Sequence, residues 1–209
     1  MTGQSFIGAW WDRIRGRLRP GPLPHDRSAC VDSPLRSLFA SPPRVVGRFG
    51  LAPGSRVLEI GCGTGYYSVE AARRIQPDGR LICLDVQEEM LAATRRRLVR
   101  AGIRNVRFVE ASAERIPLEP ESVDHVFMIT VLGEIAERAR ALGEIRRVLV
   151  PGGRLSIGEQ LPDPDFIRRN TPRRELTAAG FVEDATGGLI AYTSNWHNPR
   201  IANRSDHQA

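Results

Sequence analysis

Residues 56–67 read RVLEIGCGTGYY, and the rest of the chain can be placed by working outward from them. Val57, Leu58 and Ile60 form a short apolar run that carries one acid, Glu59, and closes on a glycine cluster. A run of this length that ends in glycines has the pattern of a buried parallel strand entering a tight turn and then a helix. Gly61, Gly63 and Gly65 remove side chains where the backbone must turn and come close to a ligand, and Thr64 is expected to cap the following helix. The backbone amides of this loop would then face whatever binds.

Two kinds of site use such a loop, and the spacing separates them. A dinucleotide fingerprint, G-x-G-x-x-G, needs a third glycine at position 66, where this chain has Tyr66. The spacing is G-x-G-x-G instead. With Glu59 two residues before the first glycine, the stretch resembles motif I of the class I S-adenosylmethionine (SAM) methyltransferases.

The chain around the loop alternates in type. Val69, Ala71, Ala72 and Ile75 mark a helix that stops near residues 77–79, and LICLD at 81–85 is a second buried strand. Its last residue, Asp85, lies 20 residues beyond Gly65, where a doubly wound sheet places an acid that binds ribose hydroxyls. A helix is expected over 88–101, strands over 106–109 and 122–129, a helix over 135–149 ending at Pro151-Gly152-Gly153, and a fifth strand over 154–157. A short helix over 44–49 precedes the first strand, and a helix over 173–179 follows the fifth. The runs 181–185 and 189–194 flank Gly187-Gly188, a hairpin signal. The expected fold is therefore α/β: a Rossmann-like doubly wound sheet, mostly parallel and seven-stranded, with a C-terminal antiparallel hairpin.

The order of these motifs over about residues 34–194 resembles the methyltransferase branch typified by the ubiquinone/menaquinone-biosynthesis C-methyltransferases and the broad type 11 group. The resemblance implies SAM as cofactor. It implies that Gly61, Cys62, Gly63, Thr64 and Gly65 hold the methionine part, with Glu59 orienting its ammonium group, Asp85 holding the ribose and Val86 lying against the adenine. Where the family has Asp or Asn followed by Ala to read the adenine, this chain has Ser112 and Ala113, a neutral acceptor of shorter reach. At the end of the fourth strand the quinone branch carries Ser, and Ile129 here could contact SAM only through its backbone. The implied reaction is in-line transfer of a methyl group to a small-molecule or lipid-like acceptor. Glu134, just beyond the fourth strand, is the candidate general base; its alternative role is that of an acid at a helix N-terminus. Tyr66 and Tyr67 either border the acceptor or pack in the core, and His125 reads as a packed strand residue.

Composition narrows the classes. All 30 basic residues are arginine, so Schiff-base chemistry by lysine is excluded, and the net charge of +6 is spread among 24 acids, the pattern of a solvated surface more than of a nucleic-acid footprint. Cys30, Cys62 and Cys83 form no C-x-x-C pair, which implies neither a disulfide framework nor a metal site. A cytoplasmic location is expected from this and from the lack of a signal-peptide core. Phe6, Ile7, Trp10, Trp11, Ile14 and Leu18 recur at helical spacing opposite Arg13, Arg15, Arg17 and Arg19, a basic amphipathic helix suited to a lid or to peripheral membrane contact over 6–19. The domain reading is an N-terminal segment and linker (1–27), the methyltransferase domain (28–196) and a loose tail (197–209). Rival readings are an RNA methyltransferase, a non-catalytic SAM-binding partner or regulatory protein, and a nucleotide-dependent oxidoreductase opposed by Tyr66.

Overall fold

The apolar runs of the sequence become seven strands in the computed structural model, which describes residues 40–160, 166–167, 169–188 and 191–199. They are β1 (Arg56–Ile60), β2 (Arg80–Asp85), β3 (Val106–Glu110), β4 (Val123–Ile129), β5 (Leu149–Gln160), β6 (Val182–Gly187) and β7 (Ala191–His197). Between them lie α1 (Pro42–Gly47), α2 (Ser68–Arg74), α3 (Glu88–Arg100), α4 (Arg138–Val148) and α5 (Asn170–Ala178), with a 3₁₀ turn at Leu132–Glu134. The readings of a helix at 6–19 and of a linker within 1–27, and the place of Cys30, fall outside the described residues, as does the tail from residue 200.

The strands form one sheet in the order β3-β2-β1-β4-β5-β7-β6. β1 to β5 are parallel, and β7 enters antiparallel between β5 and β6. Successive side chains alternate between the faces. Leu58, Ile60, Val126, Met128, Leu155 and Ile157 face a core closed by Ala141, Leu142 and Ile145 of α4 and Leu176 of α5. Val57, Leu81, Cys83 and Phe127 face the other core, closed by α1, α2 and α3 through Val46, Ala71 and Leu98. A sheet covered on both faces leaves its strand ends as the place where a ligand can reach backbone. The reversal of strand order between β1 and β4 opens a crevice at the C-terminal ends.

Several boundaries differ from the sequence reading. α1 begins at Pro42, because proline is tolerated in a helix's first turn, where its missing N–H has no intrahelical acceptor. The helix expected over 135–149 starts only at Arg138, and its last expected residue opens β5. Pro151-Gly152-Gly153 does not end an element but lies within β5. The Gly152 N–H donates to the Asn198 carbonyl at 2.7 Å, and the Asn198 N–H donates to the Gly153 carbonyl at 2.8 Å. The buried Asn198 amide also donates to the carbonyls of Leu149 and Val150, both at 3.3 Å. Residue 197 is thus no loose tail: His197 closes β7 and Asn198 is locked to the start of β5.

Candidate functional site

The glycine loop leaves β1 at the C-terminal edge of the sheet, and each glycine answers a different demand. All three have positive φ, 69° at Gly61, 53° at Gly63 and 77° at Gly65. A Cβ on Gly61 would run into the Val131 side chain after β4, and one on Gly65 would lie 3.0–3.1 Å from Thr94 on α3. A Cβ on Gly63 would meet nothing within 4 Å. The loop is therefore clamped at both ends and open at its middle, the shape needed for a ligand to approach backbone. Thr94, which no motif singles out, fixes that middle by donating its hydroxyl to the Gly63 carbonyl at 2.7 Å.

Asp85 at the end of β2 is bound into the same loop. Its Oδ2 accepts the Gly63 N–H at 3.0 Å and its Oδ1 accepts the Gln87 N–H at 3.1 Å. Burial, with 6% of the residue exposed, raises its pKa, and these backbone donors offset the rise. Val86 beside it is 46% exposed, an unusual state for a large aliphatic side chain and a fit for a flat apolar ring. The Ala111 N–H donates to the Asp85 carbonyl at 3.0 Å, which brings the next loop alongside. There the Ser112 hydroxyl accepts the Glu114 N–H at 3.1 Å, so one of its lone pairs is already used, and Ala113 is buried.

Glu59 is 3% exposed, opposite Cys83 and Phe127 in the sheet register. Burial pushes its carboxyl up to about 8, against the nearby Ser68 hydroxyl and the Cys83 thiol, and the nearby Asp85 charge pushes the same way as burial. The Cys83 thiol stands 3.7 Å from Oε2 and the Cys62 thiol 4.0 Å from Asp85 Oδ2. Cys62 and Cys83 are both free thiols.

On the β4 side, Thr130 takes a left-handed φ of 56°, strained for a β-branched residue. Its N–H donates to the Gly158 carbonyl at 2.8 Å and its hydroxyl to the Ile129 carbonyl at 2.7 Å. The Ile129 carbonyl thus already accepts one hydrogen bond, while its side chain is buried on the α1–α3 face. Thr64 lies three residues ahead of Tyr67, the capping position of α2, so it does not cap that helix. Glu134 ends the 3₁₀ turn and does not head α4, whose capping residue is Glu137; the helix-dipole role is thereby removed. Tyr67 is buried, accepts the Gln160 amide at 2.6 Å and donates to the Ala40 carbonyl at 3.3 Å, joining the glycine loop to the end of β5. Tyr66 stacks edge-on against it at 5.0 Å.

His125 lies away from this edge. Its Nε2 is 2.9 Å from the Ser156 hydroxyl, which donates to Asn195 Oδ1 at 2.6 Å. Burial, and secondarily Arg154, push it down to about 3, so it is a neutral core residue. Among the described residues no cluster of three His, Cys, Asp or Glu is placed to hold a metal ion, and no helix is long and apolar enough to cross a membrane.

The sequence pattern thus brings Glu59, the 61–65 loop, Asp85, Val86, Ser112 and Ala113 to one sheet edge. Thr94, Thr130, Val131 and Gln160 were not predicted, since a lone Thr or Gln in a helix, turn or strand end carries no spacing signal. A protein-family profile described as a methyltransferase domain matches residues 57–153. The ubiquinone/menaquinone biosynthesis C-methyltransferase UbiE of Marinomonas sp. is 35% identical over 115 residues, 54% of this chain and 46% of that protein. An arsenite methyltransferase of Halobacterium salinarum is 33% identical over 121 residues, 56% of this chain and 31% of that protein. The chain thus spans less than half the length of these curated relatives. A SAM-dependent methyltransferase from Aquifex aeolicus, solved by crystallography, superposes with a TM-score of 0.79 at 25% identity, covering 84% of this chain and 99% of that one. Loop spacing, strand order and relatives agree: residues 57–153 carry a methyltransferase domain, in a fold similar to those of the class I SAM-dependent methyltransferases, and S-adenosylmethionine is the cofactor these matches support.

Proposed function

We propose that the protein transfers the methyl group of SAM to a small-molecule or lipid-like acceptor by in-line displacement. The observation that carries this reading is the loop held open at Gly63 between two buried acids, Glu59 and Asp85. In this reading the backbone of Gly61, Cys62, Gly63, Thr64 and Gly65 lines the amino-acid end of the cofactor and Glu59 faces its ammonium group. Asp85 accepts from the ribose, Val86 covers the adenine, and Ser112 and Ala113 read its edge. Ile129 contributes a buried wall, and its carbonyl, which already accepts the Thr130 hydroxyl, has a second lone pair.

Bound SAM supplies a methyl group already activated on a sulfonium centre. The chain's own task is then alignment and exclusion of water, and alignment alone is worth roughly 7–11 kcal/mol. Glu134, at the end of the 3₁₀ turn after β4, is the side chain proposed to take a proton from a hydroxyl or acidic carbon on the acceptor. Ser112 and Ile129, where the family has other residues, support a second reading in which the chain binds SAM as a partner protein without turnover.

The test is incubation of the full chain with methyl-labelled SAM and separate small-molecule, lipid, RNA and protein fractions of a bacterial lysate. Label in the small-molecule or lipid fraction is expected. Label confined to RNA or protein contradicts the acceptor class, and saturable SAM binding with no label in any fraction favours the non-catalytic reading.

A further inference from the structure

Glu59 sits in a cluster that holds no cation. On β2 it meets the Cys83 thiol at 3.7 Å and, beyond it, the Asp85 carboxylate. From the loop comes the Cys62 thiol, hydrogen-bonded to Asp85. The α2 side brings the Ser68 hydroxyl, and β4 brings the neutral ring of Phe127 in register. None of the described arginines pairs with it. A carboxylate in this place loses hydration, faces a second negative charge and has only weak donors, so the uncharged acid is favoured. A cation brought to it by a ligand reverses that balance.

We propose that Glu59 is a charge-selecting residue: it carries a proton in the ligand-free protein and gives it up when a ligand's ammonium enters. The site thereby favours the amino-acid end of the cofactor over nucleosides that lack one. The proton balance is simple. The Glu59 O–H breaks, its proton passes to solvent, and the carboxylate formed pairs with the ammonium, one proton released per ligand bound. The rise of the Glu59 carboxyl to about 8 by burial supports this, since the acid is then protonated at neutral pH. The Cys83 thiol, also raised by burial, stays a neutral donor throughout. The inference rests on the SAM-binding reading of the site.

The experiment is calorimetry on the full chain at pH 6.5 in buffers of different ionisation enthalpy, with SAM, S-adenosylhomocysteine and 5′-methylthioadenosine as titrants. At that pH a free α-amino group, with a pKa of about 7.7–8.0, is protonated before it binds and takes up almost no proton of its own. Close to one proton should be released with SAM and with S-adenosylhomocysteine, and none with 5′-methylthioadenosine, which has the nucleoside but no ammonium. The SAM affinity should rise about tenfold from pH 5.5 to 6.5 and less steeply above, as Glu59 and the free α-amino group begin to titrate, while that of 5′-methylthioadenosine stays flat. Glu59→Gln should abolish the release. Should that variant fail to bind SAM, the slope of the unmodified protein carries the test. SAM binding without proton release, or equal release with 5′-methylthioadenosine, overturns the inference alone. Failure of all three to bind overturns the cofactor reading and the inference with it.

Discussion

Asp85 serves the fold and the site together, because the carboxylate oxygens proposed to meet a ribose also hold the Gly63 and Gln87 amides. Asp85→Ala would therefore loosen the loop as well as remove the ligand contact, and Asp85→Asn, which keeps one carbonyl oxygen, can hold only one of the two amides. Loss of a charge-assisted bond worth about 1.5–3 kcal/mol predicts a 10- to 100-fold weaker SAM affinity for Asp85→Asn, together with a lower melting temperature, since one of the two backbone amides loses its acceptor. The three glycines make a second test. Gly63→Ala has room and meets only the left-handed penalty of roughly 1–2 kcal/mol, whereas Gly61→Ala adds a clash with Val131 worth about 1–3 kcal/mol more. Chemical denaturation should rank them so, and Val131→Ala should recover part of the Gly61→Ala loss. Ser112→Asp restores a charged acceptor while still able to receive the Glu114 amide, so SAM should bind a few-fold tighter, by about 1 kcal/mol. Weaker binding by calorimetry would contradict the adenine-reading role.

At the scale of elements, β4, β5 and β7 are tied through a polar line that is buried at His125 and Ser156. His125 meets Ser156, Ser156 meets Asn195, and the Asn195 amide donates to the Arg48 carbonyl just after α1 at 2.8 Å. Since Ser156 donates to Asn195, it accepts from His125, which fixes the imidazole as the neutral Nε2–H form. Ser156→Ala should cost about 1–3 kcal/mol by stranding both neighbours. The line also sets a pH dependence. His125 falls from 6.5 to about 3 on folding, so the unfolded chain binds the extra proton between those values and stability declines as pH falls from 6.5 toward 3. Glu59 acts in the opposite sense. Its rise from 4.5 to about 8 gives stability that is complete below 4.5 and lost as pH climbs through about 8. The two slopes oppose each other between 4.5 and 6.5, so the Glu59 decline stands clear of His125 only from 6.5 to 8. Thermal melts across that range should fall for the unmodified protein and flatten for Glu59→Gln.

Across the whole molecule, the legible parts were those where a pattern repeats. The first four strands and α3 lie within a residue or so of their expected places, because buried parallel strands and an amphipathic helix with glycine stops leave periodic marks. The span of β5 was not legible. Pro151-Gly152-Gly153 reads as a breaker, and only the pairing of Asn198, some 45 residues later, makes it part of a strand. Likewise the site's motif residues could be read from spacing, but Thr94 and Thr130 act through tertiary contacts that no local pattern encodes. The strand order with antiparallel β7 beside β5, together with Tyr66 where a dinucleotide loop needs glycine, separates this site from a nucleotide-dependent oxidoreductase. The most direct test is therefore a parallel calorimetric titration of the full chain with SAM and with NAD. Saturable binding of SAM, weakened by Asp85→Asn, and no binding of NAD is the predicted result; binding of NAD in its place, or of neither, would contradict it.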